Sequence, residues 1–239
     1  MAIMPCPAIA AAECVPAKTH FDVLAGLLDL HGATIVDIGA GDGAFARQLA
    51  GPAARVIAIE VDEGKVATGA RNAPAGVEFR MGRAEDLPVE GADTDLVCFM
   101  FSFHHVPEGE QVRALEECAR ALRPGGKLHV VDPLPHGGMT DIVKPLEDET
   151  EVRTRSQNRL RQLAMSEFRL VEQRDYVLTR TFDSFDQVVE RVTSANPARA
   201  AKLASAIDAM KQAFEQHTRP TEAGFEIEQP CAMFHFERV

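Results

Sequence analysis

Three carboxylates, Asp37, Glu60 and Glu85, each stand at or just beyond the end of a short apolar run. Between the first two lies Gly39-Ala40-Gly41-Asp42-Gly43. Glycine has no Cβ, so backbone in such a run can come close to a ligand. A helix that follows offers unpaired N–H groups at its start. Gly39, Gly41 and Ala44, with Glu60 about 20 residues on, satisfy a dinucleotide-binding pattern. Asp37 adds nothing to a pyrophosphate site, whereas it favours a ligand that carries positive charge. Farther on, His104-His105 and Asp132 are candidates for a general base, since imidazole changes charge near neutral pH. Glu149 and Arg153 lie in a charged stretch and could grip a charged substrate, because the arginine fork suits carboxylates. The same residues also read as an i,i+4 pair on a helix surface, as do Glu151 and Arg155.

The elements that must hold these groups alternate in type. Residues 34–38, 55–60, 77–81, 95–101 and 127–131 read as short buried strands. Helical runs at 44–50, 62–71 and 108–122 separate them. In the last, Val112, Leu115, Cys118, Ala119 and Leu122 share one face. This repetition predicts right-handed βαβ crossovers and an α/β fold with a doubly wound, mainly parallel sheet. Residues 1–30 read as an N-terminal helical segment and 31–135 as the ligand-binding core. Residues 136–239 read as lid helices and last strands. There the pattern predicts one long or broken helix over 138–165, strands at 168–182 and 225–236, and helices at 185–193 and 199–217. No linker or repeat divides the chain, so 1–239 reads as one domain.

The glycine run with its leading acid, Asp37-Ile38-Gly39-Ala40-Gly41-Asp42-Gly43, resembles the D/E-x-G-x-G-x-G loop of class I S-adenosylmethionine-dependent methyltransferases. Phe101-Ser102-Phe103-His104-His105-Val106 is similar to the S-(L/F)-H-H-V turn of their small-molecule, "type 11"-like branch, and Pro124-Gly125-Gly126 before the fifth strand also fits. The resemblance covers roughly residues 30 to 135. It implies a Rossmann-like, seven-stranded sheet with an antiparallel last strand. It implies S-adenosylmethionine as methyl donor and S-adenosylhomocysteine as product. Asp37, Gly39, Ala40 and Gly41 would hold the donor. Glu60 would bond both ribose hydroxyls beside Val61, Ala84 and Glu85 would frame the adenine, and Phe101 would line the site. No Asp/Asn-Pro-Pro-(Tyr/Phe) element follows the fourth strand. This points away from a nucleobase or amide nitrogen and toward oxygen, carbon, sulfur or an alkyl amine.

Bulk composition narrows the partners. A formal net charge of -11 disfavours nucleic acid, and hence RNA methylation. The dense arginines 153, 155, 159 and 161 follow four acids and read as a solvated helix face. No run is apolar enough to span a bilayer. The first fifteen residues, without a basic residue, make a poor signal peptide. A cytoplasmic enzyme for a small molecule is expected, as monomer or homodimer. Five cysteines without a CxxC pair suggest neither disulfides nor zinc, and no metal is expected. Two other readings remain: an NAD(P)-dependent oxidoreductase using the same glycine loop, and a methyltransferase-like protein that binds the cofactor without catalysis.

Overall fold

The structure is a computed structural model and describes residues 15–17, 19–163, 165 and 167–239. The first fourteen residues of the expected N-terminal segment therefore lie outside the described residues. In chain order the strands are β1 (Val15–Ala17), β2 (Thr34–Ile38), β3 (Arg55–Glu60), β4 (Val77–Met81), β5 (Thr94–Met100), β6 (Leu122–Pro133), β7 (Phe168–Phe182), β8 (Thr218–Thr221) and β9 (Gly224–Arg238). The helices are α1 (His20–Ala25), α2 (Ala44–Leu49), α3 (Glu63–Arg71), α4 (Gln111–Ala121), α5 (Gly138–Val143), α6 (Thr150–Arg161), α7 (Phe185–Ala195) and α8 (Ala200–His217), with short 3₁₀ turns at Phe103–His105, Glu108–Glu110 and Pro197–Arg199.

One sheet runs in the order β1-β7-β9-β6-β5-β2-β3-β4, with β8 added on β9. The pairs β3/β4, β2/β3, β2/β5 and β5/β6 are parallel, whereas β9 runs antiparallel to β6 and β7. The antiparallel last strand thus sits between β6 and β7 rather than at an edge. Removing the short β1 and β8 leaves the seven strands expected. The sequence pattern missed both, because runs of three or four residues carry no readable period.

Strands buried on both faces need continuous apolar runs, and the two faces sort by alternation. Ile35, Val56, Ala58, Leu96 and Cys98 pack with Leu24 of α1 and Phe45, Ala46 and Leu49 of α2. Val36, Ile57, Ile59, Val97, Phe99 and Val130 pack with Ala114, Leu115 and Cys118 of α4. Val112 departs from the predicted buried face and is exposed; one residue earlier, Gln111 is buried and donates to Val106 O. The rotation turns the apolar stripe toward a polar contact that hydrophobic spacing does not register.

The predicted helix over 138–165 breaks into α5 and α6. A third apolar cluster, formed by Ile142, Phe182, Val188, Met210, Phe214 and Ile227, lies beyond the main core. It is carried by β7 and β9, which at 15 residues each outrun their neighbours and pair out to Phe182 and Phe225. α7 and α8 ride on this arm. The arm also meets the opposite half of the sheet, where Lys65 of α3 donates to Ala195 O at the end of α7 (2.9 Å). Among the described residues no helix is long and apolar enough to cross a membrane.

Candidate active site

The connection order places a cleft before any side chain is considered. The chain leaves β2 toward β3 and β4 on one side and returns through β5 to β6 on the other. Open α/β sheets bind ligands outside the carboxyl ends of strands at such a reversal. The glycine loop after β2 and the turn Phe101–His105 after β5 face each other there. Their approach is close: a Cβ on Gly39, whose φ is +72°, would lie 2.4 Å from Ser102 Cβ, and Ser102 Oγ donates to Ile38 O at 2.5 Å. Gly41 also has a left-handed φ of +60°, but a Cβ there would meet nothing within 4 Å. The loop is locked on one side and open on the other.

Asp37 is 1% exposed beside this loop. Its Oδ1 accepts a long contact from Cys98 Sγ (3.6 Å), and its Oδ2 has no partner. Burial, with Glu60 nearby, pushes its carboxyl up to about 7. A buried carboxylate so poorly compensated is suited to a cation. Glu60 is anchored differently. Its Oε2 accepts from Gly41 N (2.8 Å), and its Oε1 accepts from Val61 N (2.8 Å) and Asp62 N (3.1 Å). A carboxylate has about four acceptor positions, so these bonds orient it without exhausting it. Gly39 N and Ala40 N both donate to Ile59 O, tying the loop to β3. Val61, next to Glu60 in the chain, and Met81, level with Glu60 on β4, are 58% and 54% exposed, two apolar side chains at the rim. Met81 is a feature that sequence reasoning missed.

The next acidic loop is less open. Ala84 is buried in the core, and Glu85 Oε1 accepts from Arg83 Nε at 2.5 Å. Phe101 takes a left-handed φ of +60°, rare for a bulky residue, and packs edge-on against His20 (4.8 Å between centroids). His20 Nδ1 and Tyr176 Oη share a hydrogen bond of 2.6 Å. Neither His20 nor Tyr176 was legible as a site residue, since their separation in the chain is closed only by the pairing of β1 with β7.

A second cluster forms under α6. His104 Nδ1 donates to Asp132 Oδ1 at 2.7 Å, both side chains being essentially buried. The opposite ring nitrogen, Nε2, is buried and has no hydrogen-bond partner. It lies 3.8 Å from Glu149 Oε2, while His105 Nε2 lies 3.9 Å from Glu149 Oε1. Glu149 is also paired with Arg153 and, at 3.0 Å, with Arg199. Arg199 Nε additionally donates to Glu147 (2.6 Å), and Arg153 Nη1 to Thr140 Oγ1 (2.9 Å). Burial works against the charge on Glu149, but Arg153, the two imidazoles and Arg199 hold its carboxyl below the usual range. Burial and neighbouring His104 push His105 down to about 4.

The i,i+4 pair Glu149–Arg153 therefore forms as helix spacing allows, yet it is buried rather than solvated. The structure brings it to His104, His105 and Asp132. Arg199 and Thr140 complete the cluster from segments with no motif to mark them. Asp37, Glu60 and the glycine loop form one group at the reversal point, and His104, Asp132 and Glu149 form another, joined through the Phe101–His105 turn.

Comparison with known proteins gives this geometry a context. Residues 35–126 match a family described as a methyltransferase domain. The ubiquinone biosynthesis O-methyltransferase of Xanthomonas oryzae is 33% identical over 113 residues, 46% of each chain. The demethylmenaquinone methyltransferase of Clavibacter sepedonicus is 33% identical over 103 residues, 42% of this chain and 41% of the other. The matched stretch spans under half the length of these relatives. In fold, a Bacillus halodurans protein described as a candidate methyltransferase is similar over 91% of this chain and 98% of its own, with a TM-score of 0.61 at 19% identity.

Proposed function

We propose that this chain, whose residues 35–126 match the methyltransferase-domain family, is a class I S-adenosylmethionine-dependent methyltransferase that transfers a methyl group from that cofactor to a small-molecule acceptor. Asp37 carries the proposal: a buried carboxylate oxygen without a partner beside an open glycine loop fits a positively charged donor and not a pyrophosphate. When bound, S-adenosylmethionine supplies a methyl group on a sulfonium and leaves as S-adenosylhomocysteine. Asp37 would oppose the positive end of the cofactor. The free acceptor positions of Glu60 would take the ribose hydroxyls, Val61 and Met81 would cover one face of the adenine, and Ala84 and Glu85 would border it. The pairing of Glu85 with Arg83 leaves Glu60 as the main polar anchor.

The acceptor belongs at His104. Asp132 fixes the ring so that Nε2 presents its lone pair, and that atom is where the acceptor would be activated, with His105 beside it. One relative named above is an O-methyltransferase of ubiquinone biosynthesis, which favours an oxygen acceptor for this chain. Residues 31–135 would hold the cofactor, and 136–239 would enclose the acceptor. In-line transfer needs collinear placement, which alone supplies up to about 7–11 kcal/mol.

Calorimetry and thermal shift with S-adenosylhomocysteine and with NAD(P) test this reading. S-adenosylhomocysteine at a hundred times its Kd should add about 2.7 kcal/mol to folding stability. Stabilisation by NAD(P) alone would overturn the proposal. Glu60→Ala should weaken S-adenosylhomocysteine at least about tenfold, the low end for bonds to a charged group. A further signature comes from Asp37. Its carboxyl, raised to about 7, is partly protonated when free and must ionise to meet the cofactor's ammonium. Binding at pH 6.5 should release a proton, so the observed heat should vary with the ionisation enthalpy of the buffer. Affinity should tighten roughly five- to tenfold from pH 6 to 7.5, and Asp37→Asn should abolish both effects.

A further inference from the structure

Nε2 of His104, Nε2 of His105 and a carboxylate oxygen of Glu149 converge from the turn after β5 and the start of α6, all within 4.8 Å of one another. We propose that these three groups bind a divalent transition-metal ion, of the zinc or cobalt type, against which an oxygen acceptor is placed. Two imidazoles and one carboxylate are a donor set for such ions, and three protein ligands leave a position for substrate. Nε2 of His104 lies 3.8 Å from one Glu149 oxygen and Nε2 of His105 lies 3.9 Å from the other, and the three ligand atoms fall within 4.8 Å of one another, whereas donors around a tetrahedral ion with bonds near 2.1 Å stand about 3.4 Å apart. Closing that difference takes a rotation of His105, whose side chain is 57% exposed, together with a turn of the Glu149 carboxylate toward His104.

Two observations besides the convergence point to a ligand. Nε2 of His104 is buried and unpartnered, and it is aimed at this point. Behind it, Asp132 holds Nδ1, as carboxylates hold metal-binding histidines, fixing the tautomer that leaves the Nε2 lone pair outward. The arginines around Glu149 do not forbid a cation. Asp132, Glu147 and Glu149 against Arg153 and Arg199 leave the cluster one negative charge in excess with both rings neutral. Each oxygen of Glu149 keeps an acceptor position beyond its arginine bond. An ion here would polarise a coordinated hydroxyl and lower its pKa, as metals do for bound water. The hydroxyl proton would pass to solvent on the exposed side of His105, and the oxyanion would then attack the methyl group. His104 would in this way activate the acceptor by holding the ion.

The inference rests on the methyl-transfer reading for the acceptor but not for the ion. Tag-free protein is stripped with chelator and titrated with Co²⁺, followed by calorimetry and visible absorption. One equivalent per chain is expected, with a band of four- or five-coordinate cobalt that Zn²⁺ displaces. His105→Ala, at an exposed position, should weaken Co²⁺ at least tenfold and remove the band without lowering the thermal midpoint. Glu149→Gln should do the same, with circular dichroism checking that it folds. Co²⁺ binding that is absent, or equal in wild type and His105→Ala, overturns the site. S-adenosylhomocysteine binding to the stripped protein separates the two readings: if it persists while cobalt fails, only the metal proposal falls.

Discussion

Replacing His104 with alanine should lower turnover by about 10²–10⁴-fold, the range for loss of a positioned proton-handling group, and leave S-adenosylhomocysteine affinity unchanged. The two halves of that expectation come from the separation of the two clusters. Glu60 is bonded to Gly41, Gly39 and Ala40 are bonded to β3, the Asp37 side chain touches Cys98, and none of these bonds involves His104. His104 instead bonds Asp132 on β6 and faces Glu149. Its loss removes the lone pair that the proposal gives to the acceptor and leaves the Glu60–glycine-loop cluster standing. It also leaves Asp132 buried without its donor, a cost of about 1–3 kcal/mol, so the thermal midpoint should fall as well. His104→Gln, which keeps an amide donor for Asp132, should recover part of that stability and none of the turnover. Asp132→Asn should lower turnover by a smaller factor, since the amide can turn either its oxygen or its nitrogen toward Nδ1 and only the first preserves the useful tautomer. The measurement is the initial rate of S-adenosylhomocysteine formation on an acceptor found by screening phenols, carboxylic acids and alkyl amines. A His104→Ala enzyme with full turnover would remove the ring from the reaction.

The proposed cofactor half of this arrangement was legible because it depends on local sequence. A strand, an acid, alternating glycines and a helix are consecutive, and the period of the apolar runs places β2, β3, β4 and β5 to within a residue. Parallel strands then send every strand-end residue to one rim. The acceptor half was legible only as fragments. His104 and Asp132 could be named from strand ends, but their 2.7 Å bond depends on β5 and β6 being neighbours with Met100 level with Val131. Glu149 and Arg153 read equally as a solvated pair. What buries them is Arg199 and Thr140, which reach the cluster from the arm and from α5. That arm stands on the antiparallel pairing of β7 with β9, a long-range register that alternation in either strand cannot reveal. Of the two exposed apolar side chains flanking Glu60, Val61 was read and Met81 was not, because an exposed methionine at the end of a strand looks the same in sequence as a buried one.

Acid should destabilise this protein through a histidine pair that has no part in the site, and Asp37 should mask part of the loss. His129 on β6 and His235 on β9 are partners across the sheet, 3.3 Å apart at Nδ1, and both are buried. Burial, then the neighbouring ring, hold His129 down at about 3; burial and Lys127 hold His235 down at about 4. Unfolded, each titrates near 6.5. Between those values the unfolded chain binds more protons than the native one, so stability present above pH 6.5 is lost as pH falls toward 4. From pH 7 to 5 this costs about 2 kcal/mol per ring, about 4 for the pair. Asp37 acts in the opposite direction. Its folded value of about 7 lies above the ordinary 3.8, so the native state takes up a proton over the same interval and gains about 2 kcal/mol. His20, held by burial at about 3, adds about 2 kcal/mol in the same direction. His105, held at about 4 but with its side chain 57% exposed, adds about 1 once solvent screening is allowed for. Urea unfolding should therefore show wild type losing about 5 kcal/mol from these groups between pH 7 and 5, and Asp37→Asn about 7. Saturating S-adenosylhomocysteine, which holds Asp37 ionised, should bring wild type to the steeper slope. The double variant His129→Gln/His235→Gln should remove about 4 kcal/mol of the loss and leave the share of His20 and His105, which burial also holds low. Equal slopes in wild type and the double variant would show that the pair is not the acid-sensitive element, and equal slopes in wild type and Asp37→Asn would show that the carboxyl does not stay protonated near neutrality.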